Sequence, residues 1–133
     1  MAIVTALNTK ENLQAKIATL SHEFIADEPF EVGGQNEGPN PEELLASALA
    51  ACTAITLRMY INHKKIAVED IHVEVNLEFN KGDNTTIFDR KIRIDGEYDE
   101  AILKRLTAVA NAYPVHKALS ANILIKTELT PAI

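Results

Sequence analysis

Four consecutive residues, Asn40-Pro41-Glu42-Glu43, constrain the fold of this chain more than any others. Asn40 is a strong N-cap residue, Pro41 suits the first helical position, and Glu43, three past the cap, can reach back to the cap N–H. The pattern predicts a helix that begins here and runs to about Ile61, with Leu45, Ala48, Leu49, Cys52, Ile55, Thr56 and Met59 on one face. Its alanines allow another helix to approach closely, and both of its faces are rather apolar, as expected of a central helix covered on more than one side. A monomer of 133 residues has little to cover it with.

The segments around this helix predict strands and shorter helices. Residues 1–30 read as strands with turns, and Gly33-Gly34-Gln35-Asn36-Glu37-Gly38-Pro39 reads as a mobile turn before the capped helix. Ile71 to Phe79 alternates apolar and polar residues, Asn80 to Asn84 is a turn, and Phe88 to Asp95 is a more charged strand, so the pair predicts an antiparallel hairpin. Asp99 opens a helix to about Asn111, Pro114 starts a short one to Leu119, and Asn122 to Leu129 is expected to close as a strand. Strands, long helix, two strands, helices and strand make an α+β chain rather than a doubly wound parallel sheet, and its length fits a single domain over residues 1–133.

Composition narrows the function classes. A net charge of -6 argues against general nucleic-acid binding, because phosphate backbones reward Lys and Arg. The small basic cluster Arg90, Lys91 and Arg93, flanked by Asp89 and Asp95, reads as the solvated face of a strand. One cysteine and four scattered histidines (His22, His63, His72, His116) give no metal-ligand spacing, so no metal is expected. The apolar run Leu44 to Leu57 is too short to span a bilayer, and the amino terminus lacks a secretion-signal layout, so no membrane contact and a cytoplasmic location are expected.

Cys52, the only cysteine, is a packing residue, a reactive thiol, or the partner of another molecule's thiol. Reactivity requires the thiolate, and a nearby cation favours it. The helix dipole fades within the first turn, twelve residues before Cys52, and Arg58 lies about 120° around the helix and about 9 Å along it. His22 and His116 remain as distant candidates, each also readable as an ordinary histidine. Glu42 and Glu43 suit the positive helix end, and Glu42, about 15 Å from Cys52 along the helix, can serve that sulfur only across a dimer. The three glycines of the loop do not match a dinucleotide fingerprint, and Tyr113-Pro114 reads as a helix-helix corner.

The segment Val32-Gly33-Gly34-Gln35-Asn36-Glu37-Gly38-Pro39-Asn40-Pro41-Glu42-Glu43-Leu44-Leu45, continuing to Ala50-Ala51-Cys52, resembles the signature of the OsmC/Ohr family of thiol-dependent peroxidases. Tyr113-Pro114-Val115-His116-Lys117-Ala118-Leu119 resembles, in part, its second motif, and Ala26 to Pro29 and Thr53 to Tyr60 look most like a less characterised branch. The resemblance implies an intertwined homodimer, with antiparallel sheets packed around a long central helix and active sites at the subunit interface. It implies reduction of organic hydroperoxides or hydrogen peroxide, an antioxidant role in the oxidative stress response, with Cys52 as peroxidatic nucleophile and Glu42 as the carboxylate reaching the other subunit's site. No cofactor is implied. The chain departs from the pattern twice: Tyr113 stands where the resolving cysteine is expected, and no arginine precedes Arg58 to supply the usual thiolate partner. The expected oxidoreductase is then a one-cysteine enzyme that relies on an external thiol, with His22, Tyr113 and His116 as candidate thiolate partners or pocket residues. The alternatives are a homodimer that binds a small hydrophobic molecule without chemistry, and a redox sensor whose Cys52 pairs with its dimer mate.

Overall fold

A computed structural model of the chain describes residues 1–10 and 12–131. The chain gathers into two compact units, one of Met1–Ala48 with Val75–Asp89 and the other of Leu49–Glu74 with the residues from Arg90 onward.

In the first unit, β1 (Thr5–Leu7), β2 (Ala15–Ala18) and β3 (Glu23–Ala26) form an antiparallel sheet in that order, with Thr5 opposite Ala18 and Ala15 opposite Ala26. Asp27, which directly follows β3, organises the next loop. Its carboxylate accepts the backbone N–H groups of Glu28 (2.8 Å), Glu37 (3.1 Å) and Gln35 (3.3 Å) and the side-chain amide of Gln14 (3.2 Å). Burial pushes this carboxyl up, but the four donors together outweigh it and hold the group below the ordinary aspartate value. The loop closes tightly on β3, since Asp27 donates its N–H to the Pro39 carbonyl and a Cβ on Gly38 would overlap the carbonyl oxygen of Ile25. The glycine segment expected as a mobile turn is therefore a packed loop, fixed by a buried carboxylate that accepts its backbone N–H groups.

This loop delivers the chain to α1 (Pro41–Lys64). The Asn40 side chain accepts the Glu43 N–H at 2.8 Å and the Glu43 carboxylate accepts the Asn40 N–H at 3.0 Å, the reciprocal pair read from the sequence. The helix runs one turn beyond Ile61. At 24 residues it is long and apolar enough to cross a membrane by length and composition, contrary to the expectation drawn from the shorter run Leu44 to Leu57. Part of that apolar character has a partner in the core of the second unit. The buried stripe is Leu49, Thr53, Thr56, Leu57 and Ile61, which shares only Leu49 and Thr56 with the face expected. Of the expected face, Leu45, Ile55 and Met59 stay 43%, 60% and 66% exposed.

A two-stranded sheet follows, β4 (Val68–Asn80) and β5 (Thr85–Gly96), antiparallel because a four-residue turn joins them. The second unit then adds α2 (Glu100–Ala110), whose cap Asp99 accepts the Ile102 N–H, and α3 (Pro114–Ser120). Leu57 and Ile61 of α1, Ile94 of β5, and Leu106 and Ala110 of α2 form the core of this unit, flanked by Tyr60, Val68 and Tyr98. The strand expected over Asn122–Leu129 does not form: this segment has no regular structure and pairs with no strand among the described residues, and Ile123, Leu124 and Ile125 are exposed. Alternation of apolar residues gives a segment the capacity for a strand, but only a neighbouring ladder makes it one.

Candidate thiol site

Cys52 lies in the second third of α1, in the second unit, and is half-buried. Its Sγ is 3.8 Å from the Thr56 hydroxyl, one helical turn on. The sulfur borders a cavity of about 430 Å³ whose wall is mostly apolar, with Ile55, Met59 and Tyr60 of α1 on one side and Tyr113 and Pro114 at the start of α3 on the other. His63 also lines it. The expected juxtaposition of Cys52 with Tyr113 is thus present, and it arises because Pro114 starts α3 at the end of the short link from α2.

The next residue of α1, Thr53, meets Arg90, which the sequence alone places on a solvated strand face. That assignment is corrected by the structure: Arg90 is half-buried near the middle of β5. Its Nη1 donates to the Thr53 hydroxyl (3.0 Å) and the Ala110 carbonyl (3.2 Å), and its Nη2 to the Asn111 side-chain oxygen (2.7 Å). The same Nη2 lies 3.4 Å from Nδ1 of His116, a hydrogen bond when that nitrogen carries its lone pair. Thr53 in turn donates its hydroxyl proton to the Leu49 carbonyl at 2.7 Å. Burial lowers the Arg90 pKa, while the negative charge of a Cys52 thiolate raises it. Alternation along β5 marks Arg90 as sharing a face with the core residues Ile92 and Ile94, the one sign in the sequence that it points inward.

The other expected site residues are placed as follows. His116 joins the Arg90 cluster. His22 sits in the β2–β3 turn of the first unit, where its N–H donates to the Thr19 hydroxyl. Glu42 is exposed in the first turn of α1, ten residues ahead of Cys52. Arg58 donates to the carbonyls of Val68 and Glu69, so its charge is directed at the start of β4. A separate cluster that sequence spacing did not reveal brings Asp70 and His72 of β4 and Asp95 of β5 within 4.8 Å of one another. Two of these come from one strand and the third from its neighbour, so no local motif announces them. Asp95 pairs with His72 at 3.3 Å and with Arg93 at 3.5 Å, and the group is largely solvated.

No curated protein matches the chain in sequence. Solved structures do match it closely in fold. An OsmC-like protein from Mycoplasma pneumoniae superposes with a TM-score of 0.75 at 20% identity, covering 90% of this chain and 87% of that one. An organic hydroperoxide resistance protein OsmC from Legionella pneumophila gives 0.61 at 25% identity, with 92% and 90% covered. The organic hydroperoxide resistance protein OhrB of Bacillus subtilis gives 0.61 at 23% identity, with 92% of each chain covered. The family model for OsmC-like proteins matches residues 34–128, from the loop before α1 through the segment beyond α3. The chain therefore belongs to the OsmC-like protein family.

Proposed function

We propose that this chain reduces hydroperoxides with Cys52 as its nucleophile and an external thiol as its reductant. The thiolate attacks the outer peroxide oxygen, the O–O bond breaks, and the alkoxide leaves and takes up a proton, giving an alcohol and a Cys52 sulfenic acid. An external thiol then displaces water from that sulfur to form a mixed disulfide. A second thiol releases the Cys52 thiol and leaves as the external disulfide. Two thiols are oxidised for each hydroperoxide reduced. With Tyr113 where a resolving cysteine is expected, no second thiol of this chain is available for the middle step.

The observation that carries this reading is the half-buried sulfur on the wall of an apolar cavity. An apolar wall suits the organic part of an alkyl or aryl hydroperoxide. OsmC/Ohr proteins are generally dimeric and soluble, and the exposed apolar residues Leu45, Ile55 and Met59 on α1 support a homodimer here. In that reading the two units form one OsmC-like domain, Glu42 serves the site across the homodimer, and the protein works in the cytoplasm as part of an oxidative stress response.

Stoichiometric cumene hydroperoxide should add one oxygen to Cys52 in the intact mass. Catalytic turnover should follow with dithiothreitol and vanish in Cys52→Ser. Absence of both sulfenic acid and turnover would refute the proposal. The same apolar cavity favours a second reading, a dimer that holds a small hydrophobic molecule without chemistry; a co-purifying apolar ligand in native mass spectrometry, together with an inert Cys52, would establish it.

A further inference from the structure

The geometry points to a divalent-cation site on the outer face of the β4–β5 hairpin, formed by Asp70 and His72 of β4 and Asp95 of β5 and suited to zinc. Strand alternation builds it. Ile71 of β4 and Ile94 of β5 pack in the core of the second unit, so Asp70 and His72 on either side of Ile71, and Asp95 next to Ile94, project from the opposite face. The hairpin sets the two strands side by side, and one ligand atom from each of the three side chains lies within 4.8 Å of the other two. All three residues belong to the second unit and none lines the Cys52 cavity, so the site does not depend on the hydroperoxide reading.

Zinc takes imidazole nitrogen and carboxylate oxygen at about 2.0–2.2 Å, so donors around a tetrahedral ion stand about 3.4 Å apart. His72 Nε2 and Asp95 Oδ2 are already 3.3 Å apart. Asp70 is exposed and has at most about 1.4 Å to close from 4.8 Å, a movement within reach of a side-chain rotamer change. Two carboxylates match the double charge of the ion. An imidazole nitrogen among carboxylate oxygens favours zinc over magnesium and calcium, which take oxygen donors. Arg93 Nε approaches the remaining oxygen of the pair, Asp95 Oδ1, at 3.5 Å and so holds the carboxylate with Oδ2 toward His72. Three protein donors leave a fourth position for water. Because the ligands are exposed or half-exposed, the ion enters without opening the core. Drawn from two strands, they make a bound ion a cross-link of the hairpin at the end away from its turn.

Zinc chloride titrated into the protein at neutral pH, followed by isothermal calorimetry, tests the site. One equivalent should bind per chain, and zinc should raise the apparent melting temperature, because the unfolded chain does not hold the three donors together. His72→Gln and Asp70→Asn should each weaken binding by at least about tenfold. Cys52→Ser should bind zinc as the parent does, which separates this site from any contribution of the thiol. In nuclear magnetic resonance spectra the ring nitrogens of His72 should shift on addition of zinc while those of His22, His63 and His116 stay in place. This last measurement uses the parent protein, so failure of a variant to fold does not remove the test. Absence of saturable binding, binding undiminished in folded His72→Gln and Asp70→Asn, loss of binding in folded Cys52→Ser, or a His72 ring that zinc leaves unmoved overturns the proposal. Hydroperoxide turnover bears on none of these results, so the two readings stand or fall separately.

Discussion

Replacing Thr53 by Val tests the hydrogen-bond chain behind the thiol site. Thr53 is 3% exposed, and its hydroxyl both accepts from Arg90 at 3.0 Å and donates to the Leu49 carbonyl at 2.7 Å. Valine keeps the branched shape but supplies neither function, so the swap is not conservative. The Leu49 carbonyl retains the helical N–H of residue 53 and is not orphaned. Arg90 Nη1 keeps only the Ala110 carbonyl. Loss of a hydrogen bond to a charged group costs about 1.5–3 kcal/mol, and the added methyl recovers about 0.8 kcal/mol, leaving a net loss of roughly 1–2 kcal/mol. Thr53→Ser is the control: it keeps the hydroxyl and loses one methyl, at about 1 kcal/mol. Urea unfolding at one fixed protein concentration, necessary if the chain dimerises, should show both losses with unchanged m-values. If Thr53→Val is as stable as the parent, the hydroxyl does not stabilise the unit and the reasoning is wrong.

Three further outcomes are expected. Asn40→Ala removes one half of the reciprocal cap on α1 and should destabilise the protein by about 1 kcal/mol in urea unfolding. Asp27→Asn should lower stability at neutral pH, and the difference from the parent should shrink in acid. The folded carboxyl sits below its ordinary value, so its contribution is complete above the unfolded value of about 3.9 and is lost as pH falls from there through the folded value. A urea midpoint difference that stays constant from pH 7 down to pH 2 would contradict this. Ile55→Asp, at an α1 position 60% exposed in the single chain, should shift sedimentation from dimer toward monomer if that face is the subunit contact.

The elements legible in the sequence were those specified by neighbouring residues. The cap of α1, the turn between β4 and β5, and the Asp99 start of α2 all depend on contacts within a few positions, and the structure forms each of them. The strand expected from Asn122 to Leu129 failed because its alternation has no ladder to join among the described residues. The buried side of α1 matches the expected face only at Leu49 and Thr56, for a related reason. Spacing identifies which residues share a face, whereas the packing of Ile94 and Leu106 selects the face that is covered. Cys52 and Tyr113 could be singled out in advance, but Arg90 was read as solvated because its neighbours Asp89, Lys91 and Arg93 are charged.

By itself, the sequence determined that a capped helix carries one thiol, that this chain can close no internal disulfide, and that no arginine precedes the thiol. Tertiary structure alone decided where Arg90 goes. Thr53, Arg90, Ala110, Asn111 and His116 come from three helices, a strand and the end of α2, up to 63 positions apart, and meet only when α1, β5, α2 and α3 are in place. Electrostatic interaction depends on separation through space and on the loss of intervening water, and neither quantity is written in the order of residues along the chain.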